Sequence, residues 1–104
     1  MAALDAAVIA SVRRKLHITW EDETAAMRIE DVVGSVSPRL ASLLALPEDH
    51  AFSKGDGVAW SLFLNGCLYE DSDAWDDFEA NYEREIQSVR LHNLAEVADA
   101  QAQG

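Results

Sequence analysis

The sequence predicts an all-α fold, a small bundle of about four helices with a long second helix and a long C-terminal helix. Two observations support this class. Apolar residues recur at spacings of three and four along most of the chain, and few segments show the alternation typical of strands. A third observation, the length of 104 residues, suits one domain with a single modest core. We therefore expect one helical domain over residues 1–104, with 91–104 as a possible extended tail.

The first predicted helix ends in a short basic cluster. Its apolar stripe comprises Leu4, Val8, Val12 and Leu16. The cluster, Arg13, Arg14 and Lys15, falls in the last turn, where cations interact favourably with the helix dipole. This structural explanation is sufficient for the cluster, and binding of a partner is the alternative.

The second predicted helix contains the longest apolar stripe of the chain. Either Thr19 or Asp22 can cap its start, with Glu21 and Glu23 in its first turn. The stripe comprises Ile29, Val32, Val33, Val36, Leu40, Leu43 and Leu44. Pro38 lies inside it, so we expect a kink, or else a break in which Ser37 caps a second, shorter helix.

The third predicted helix, from Val58 to Tyr69, is interrupted by only two polar residues, so almost none of its surface suits water. Either the rest of the chain or a neighbouring subunit must cover it, which indicates an oligomer or a docking partner. We expect Cys67 to be a buried thiol and Trp60 to lie in the core or a subunit interface. The loop before this helix contains Phe52, which we expect to fold back onto the core.

The last predicted helix begins after the connection D-S-D, where Ser72 or Asp73 is the expected cap and acids fill the first turns. Its buried stripe comprises Trp75, Phe78, Tyr82, Ile86 and Val89. After Arg90 the apolar residues Leu91, Leu94 and Val97 rotate away from that stripe. We therefore expect the tail to leave the core.

Composition excludes some functions. Only 8 Lys and Arg stand against 19 Asp and Glu, giving a net charge of -11, which argues against wrapping nucleic acid. The charge suits plain solubility, a basic partner, or a surface that DNA slides past. The lone cysteine suggests a reduced compartment, the N-terminus shows no basic leader of a signal peptide, and the apolar run is shorter than the ~20 residues of a membrane span.

Catalytic patterns are weak or absent. The three histidines, His17, His50 and His92, have no metal-ligand spacing, and the acidic segment around Trp75 lacks the glycine of a calcium loop. The G-D-G sequence lacks the lysine of a phosphate-binding loop. We predict that the protein is not an enzyme and needs no cofactor or metal.

Four segments taken in order resemble a known family. They are R-R-K-L-H-I-T-W-E-D-E, a long helix running to L-A-L-P, F-S-K-G-D-G-V-A-W-S-L-F-L-N-G-C-L-Y, and D-D-F-E-A-N-Y-E-R-E-I-Q-S-V-R-L. Over residues 8–91 the chain resembles the small head-tail connector, or adaptor, proteins of long-tailed phages. No single motif is diagnostic, and the order and separations of the segments carry the resemblance.

The resemblance implies an all-α subunit of a homo-oligomeric ring, twelvefold, beneath the portal protein of the filled capsid. Such a ring extends the channel through which DNA passes without specific binding and offers a platform for the next neck or tail-completion protein. The implied location is the virion at the head-tail junction, and the host cytoplasm during assembly. The implied scaffold segments are Leu16 to Glu21, Cys67 to Tyr69 and Phe78 to Ile86.

The chain departs from the family pattern at Gly34 and Pro38, and it matches least beyond Leu91, where partner contacts are expected. The candidate oligomer or partner interface comprises Arg13, Arg14, Lys15, Trp60, Leu91, Leu94 and Val97. A second hypothesis is an acidic DNA-mimic or antitoxin-like inhibitor that binds a basic protein surface. Its support is the net charge, and against it the acids lie largely where helix starts would place them.

Overall fold

The computed structural model describes residues 5–20 and 22–103, with side chains as far as residue 100. Within these ranges the chain is all-helical and contains no strand. Five α-helices follow one another: α1 (Ala6–Lys15), α2 (Glu23–Leu43), α3 (Val58–Asp71), α4 (Trp75–Asn81) and α5 (Glu83–Gln103), with a 3₁₀ turn at Lys54–Asp56 before α3. The predicted all-α class is confirmed, and α2 and α5, each of 21 residues, are the long helices expected.

Helix α3 lies at the centre of the molecule, in contact with each of the other four α-helices. The core around it includes Val12 of α1, Ile29, Val36 and Leu40 of α2, Phe63 and Cys67 of α3, Phe78 of α4 and Ile86 of α5. Burial of each large side chain of this kind contributes about 1.5–3 kcal/mol. Most of the apolar surface of α3 is therefore covered within the subunit, and Val58 at its first turn is the large apolar residue of α3 that stays exposed.

Aspartates cap the first two helices. The Asp5 side chain accepts a hydrogen bond from the Ala7 amide at 2.7 Å, and Asp22 accepts one from the Ala25 amide at 2.8 Å. Of the two caps considered for α2, Asp22 is therefore the one used. The predicted contributions of Leu4 and Glu21 lie outside the described residues.

Helix α2 continues without interruption through Pro38. The predicted alternative of a break with Ser37 as a cap is therefore wrong. Proline forfeits one backbone hydrogen bond in a helix interior, and burial of the α2 stripe, including Val36, Leu40 and Ala41, on both sides of Pro38 offsets that loss.

Three helices end in the same way, with a residue other than glycine in the left-handed region. His17, Ala45 and Asp73 have φ of 59°, 57° and 57°, and each follows the last residue of a helix and its C-cap. After α3, the Asp73 amide donates to the Glu70 carbonyl at 3.0 Å and the Ala74 amide donates to the Tyr69 carbonyl at 2.8 Å. These two bonds form a Schellman motif, which satisfies carbonyls that a helix end leaves unpaired.

The predicted cap of the acidic helix is wrong. Ser72 is the C-cap of α3, and Asp73 takes the left-handed position that closes the motif. Ala74 consequently occupies the N-cap position of α4 without a side-chain hydrogen bond. The acids Asp76 and Asp77 do lie in the first turn of α4, as predicted.

The expected last helix is two helices, which is why the structure has five rather than about four. Tyr82 separates them, with φ −112° and ψ 16°, while its ring packs against Phe78 at 5.2 Å and Tyr69 at 6.0 Å between centroids. The apolar spacing of the sequence runs on through this position, because a single non-helical residue changes the spacing little. Periodicity alone could not reveal the interruption.

Two arginines of α2 join it to the end of α3. Arg28 makes a bidentate ion pair with Asp71, in which its Nε donates to Oδ1 at 2.7 Å, and the hydrogen bond to this carboxylate raises the pKa of Arg28. Arg39 lies 3.1 Å from the Glu70 carboxylate and over the Trp75 ring, 5.1 Å from its centroid. These contacts fix α3 and the start of α4 against α2.

Candidate docking surface

The candidate interface residues lie in three separate parts of the molecule. The basic cluster is at the end of α1, Trp60 is in α3, and the apolar residues after Arg90 are in the middle and second half of α5. Helices α1 and α5 do not contact one another among the described residues. The structure therefore does not bring the basic cluster and the apolar residues of α5 together within one subunit.

The basic cluster lies beside an exposed tryptophan. Arg13, Arg14 and Lys15 form the last turn of α1, and the chain then turns at His17. The Nη1 atom of Arg13 donates a hydrogen bond to the Trp20 carbonyl, which holds that residue near the helix end. Trp20 is 46% exposed, so we define the basic patch as Arg13, Arg14, Lys15 and Trp20.

Trp20 was not among the predicted interface residues. The resemblance places Leu16 to Glu21 in the packing scaffold, and this is right for Leu16 and Ile18, which are buried. It is wrong for Trp20, which is exposed although an alternating pattern would place it on the same side as Leu16 and Ile18. The alternation of L-H-I-T-W therefore accounts for the burial of Leu16 and Ile18 but not for the exposure of Trp20, since Thr19 and Trp20 are both exposed.

Trp60 belongs to the packing of the core. It is partly buried, and its ring stacks on Phe63 at 5.5 Å and 22°. Phe63 in turn stacks on Phe52 at 5.0 Å, so the loop before α3 folds back as predicted. This row of rings gives Trp60 a structural role, and only its exposed edge can contribute to an interface.

The second half of α5 extends past the core. Two side chains make the last hydrogen bonds to the rest of the molecule: Arg90 donates to the Ser42 carbonyl at 3.0 Å, and Asn93 donates to the Leu44 carbonyl at 2.8 Å. Beyond them every described side chain is exposed. We call residues 94–103 the C-terminal tail, a shorter segment than the predicted tail over 91–104.

Apolar side chains are exposed on and just before this tail. Leu91 is 66% exposed, Leu94 44% and Val97 49%. A helical segment of about ten residues has little stability in water without tertiary contacts. An amphipathic helix end of this kind gains stability when another surface covers its apolar side.

An open groove of about 520 Å³ lies between α5 and the start of α3. Its lining includes the exposed Val58, the partly buried Val89, and the polar side chains of Asp56, His92 and Asn93. His50 and Asp56 pair at 3.2 Å near one end, and Asp56 also accepts the Ser53 amide at 2.9 Å. These hydrogen bonds brace the 3₁₀ turn.

Cys67, the lone cysteine of the sequence, is buried. Burial raises the pKa of the Cys67 thiol to about 12, and the nearby charges of Glu70 and Asp71 act in the same direction. Such a thiol is a poor nucleophile. Within residues 5–20 and 22–103, no three His, Cys, Asp or Glu residues are grouped so that they could hold a metal ion. None of the described helices combines the length and the apolar character that a membrane crossing requires.

The chain was compared with protein-family models, curated proteins and solved structures. No match was found in any of the three. The function must therefore be argued from the residues and their arrangement.

Proposed function

We propose that this protein is a structural subunit of a phage head-tail connector. In this role it assembles into a homo-oligomeric ring between the portal and the tail or stopper, and the ring extends the DNA channel. The proposal rests on the resemblance over residues 8–91 together with one structural observation, the C-terminal tail. A helix that extends beyond its own core with Leu94 and Val97 exposed is suited to contacts with another chain.

The contacts of the aromatic and polar side chains support a scaffold protein rather than an enzyme. The aromatic side chains pack on one another around α3, and the polar side chains Arg28, Ser35 and Arg39 of α2 are engaged with acids at the end of α3. Within the described part of the chain, the two surfaces available for binding another chain are the basic patch and the C-terminal tail.

The net charge of -11 suits a conduit, because negative walls repel DNA phosphates at distances within about 10 Å at ordinary ionic strength. DNA would then pass without specific binding. If the lumen of the assembled ring were neutral or basic, with the acids on its outer wall, this explanation of the charge would fail.

The second hypothesis, an acidic inhibitor of a basic protein, finds less support. Many of the acids serve helix starts: Asp5 and Asp22 are N-caps, and first turns contain Glu23, Asp76, Asp77, Glu83 and Glu85. Local helix stabilisation accounts for these positions without a phosphate-like array.

Electron microscopy of the purified protein mixed with its portal tests the proposed function. We expect a ring of this chain docked coaxially on the portal. Gel filtration with light scattering provides the comparison: a large species, alone or with portal, supports the connector. A stable monomer that does not bind the portal but does bind a basic protein would instead support the inhibitor.

A further inference from the structure

The basic patch combines charge and exposed aromatic surface, and a structural role explains only part of it. Cations in the last turn of α1 stabilise that helix end. This effect does not require an exposed tryptophan beside them, yet Arg13 donates a hydrogen bond to the Trp20 carbonyl and so positions that residue. Arginine and tryptophan are the residue types most enriched among those that dominate binding energy in interfaces. The patch therefore has the chemistry of a binding site.

The occupant that fits this patch is an acidic, amphipathic segment. Its carboxylates would pair with Arg14 and Lys15, and its apolar side chains would cover the Trp20 ring. The chain is strongly acidic as a whole, with three of its eight Lys and Arg residues in this single turn. A partner attracted to it electrostatically must be locally acidic.

The C-terminal tail has the matching chemistry. It presents Leu94 and Val97 together with Glu96 and Asp99, all exposed, and the sequence contains no Lys or Arg after Arg90. The last turn of α5 has no basic residue to offset the negative end of the helix dipole. Cations supplied by another molecule would offset both the acids and the dipole.

The pairing must join two copies. Because α1 and α5 do not contact one another among the described residues, the tail does not lie against the basic residues of the patch in its own subunit. The tail is about 15 Å long at 1.5 Å per residue, which is enough to reach over a neighbouring surface. A contact between two different surfaces of identical subunits is heterologous, so it repeats from copy to copy and closes into a ring when the rotation allows.

We infer that the C-terminal tail of one subunit docks on the basic patch of the next, with its acids against Arg14 and Lys15 and its apolar side chains against Trp20. This inference deepens the proposed function and rests on it for the ring. It also explains how subunits of charge -11 associate, since the contact places opposite charges together where the average interaction is repulsive.

Complementary charge reversals test the pairing in the full-length protein. One variant is Arg14→Glu with Lys15→Glu, and the other is Glu96→Lys with Asp99→Lys. Each alone should weaken self-association at least about tenfold in apparent Kd, because like charges then face one another. A mixture of the two in equal amounts should recover assembly, since each variant keeps the surface that the other needs.

Lys54→Glu with Arg84→Glu is the matched control, because it makes the same change in net charge at exposed cations outside the patch. It should assemble like the unmodified protein, apart from the general effect of charge. Circular dichroism of every variant verifies that the helices are retained. Equal weakening by the control and by the patch variant would overturn the inference.

Disulfide trapping gives a readout that does not depend on ring closure. In a Cys67→Ala background, Thr19→Cys in one population and Ala98→Cys in the other place thiols at exposed positions beside the patch and on the tail. The mixture should form a covalent heterodimer faster than either population forms a homodimer. Absence of this preference would overturn the pairing.

The outcomes separate the inference from the proposed function. Rings on the portal that persist in both charge-reversal variants would refute the tail–patch contact and leave the connector function standing. Open chains that depend on the contact but never dock on a portal would support the contact and refute the connector function. A wild-type protein that remains monomeric at every concentration would refute the contact between copies, and portal binding would then decide the function separately.

Discussion

Two glycines in the two packed helices α2 and α3 provide a direct test of the fold. A Cβ atom added at Gly66 in α3 would lie 3.2 Å from Cζ3 of Trp75, 3.3 Å from Cγ1 of Val36 and 3.5 Å from Cζ of Phe78. A Cβ added at Gly34 in α2 would have no such neighbour within 4 Å. The substitutions Gly66→Ala and Gly34→Ala are therefore chemically identical and differ in their surroundings.

The expected free-energy changes have opposite signs. In a helix interior, replacing glycine by alanine stabilises the folded state by up to about 1 kcal/mol. Gly34→Ala should realise this gain. At Gly66, crowding against Trp75 and Val36 in a closely packed core costs about 1–3 kcal/mol, so the net result is a loss of about 1 kcal/mol. For a domain of this size the two variants should then differ in Tm by roughly 8–16 °C.

Thermal and urea denaturation followed by far-ultraviolet circular dichroism measure the difference. The protein concentration must be one at which light scattering gives a monomer, because assembly would stabilise the folded state independently. If Gly66→Ala were as stabilising as Gly34→Ala, the helices α2, α3 and α4 would not approach one another as closely as described. Gly66→Leu extends the test, and it should be more destabilising than Gly66→Ala.

Four further outcomes are expected. Ala45→Gly should stabilise the protein by about 1 kcal/mol in urea denaturation, since glycine adopts the left-handed φ of 57° without the steric cost that alanine has there; a loss of stability would contradict the end of α2 described here. Leu94→Asp should leave the circular dichroism spectrum and the monomer's stability unchanged while it abolishes assembly, and unfolding would instead place the tail in the core. Cys67→Asp should unfold the protein, because it buries a carboxylate in the core, and a soluble helical variant would refute the burial of this position. The unmodified thiol also predicts a pH dependence: its pKa rises on folding from 9.0 to about 12, so the unfolded state loses its proton first and stability falls as pH increases across this interval. The fall should be about 1 kcal/mol per pH unit relative to Cys67→Ala, and parallel pH profiles of the two proteins would exclude it.

The sequence predicted the helices because burial on one side imposes a spacing of three and four residues. Ile29, Val36 and Leu40 of α2 and Phe78 and Ile86 beyond α3 are buried as that spacing requires. Asp22 was recognised as one of two possible caps because its side chain can reach the free amides of the next turn.

The ends of helices were predicted less well, for a physical reason. Glycine usually marks the left-handed residue after a helix, and here His17, Ala45 and Asp73 occupy that position instead. Aspartate is a residue type typical of N-caps, but Asp73 occupies the left-handed position after the C-cap of the preceding helix, where glycine is usual. The backbone hydrogen bonds that decide between the two roles depend on the conformation of Tyr69 to Ala74, which the residue types leave open.

The candidate surface was predicted in part. Leu91, Leu94 and Val97 stood out because their positions rotate away from the stripe formed by Ile86 and Val89, and the structure leaves all three exposed. Trp20 could not be found in this way. The alternation of this segment groups Trp20 with the buried Leu16 and Ile18, whereas in the structure Thr19 and Trp20 are both exposed.

The most apolar helix of the chain illustrates why exposed surface is a better guide to assembly than hydrophobicity. The composition of α3 demands cover on all sides, and four helices of the same subunit provide nearly all of it. Burial of its apolar side chains therefore stabilises the monomer rather than an assembly. The tail of α5 is far more polar, yet its Leu94 and Val97 remain about half exposed. Association between subunits can only use surface that folding leaves exposed, so the modest apolar content of this tail bears more directly on assembly than the whole of α3.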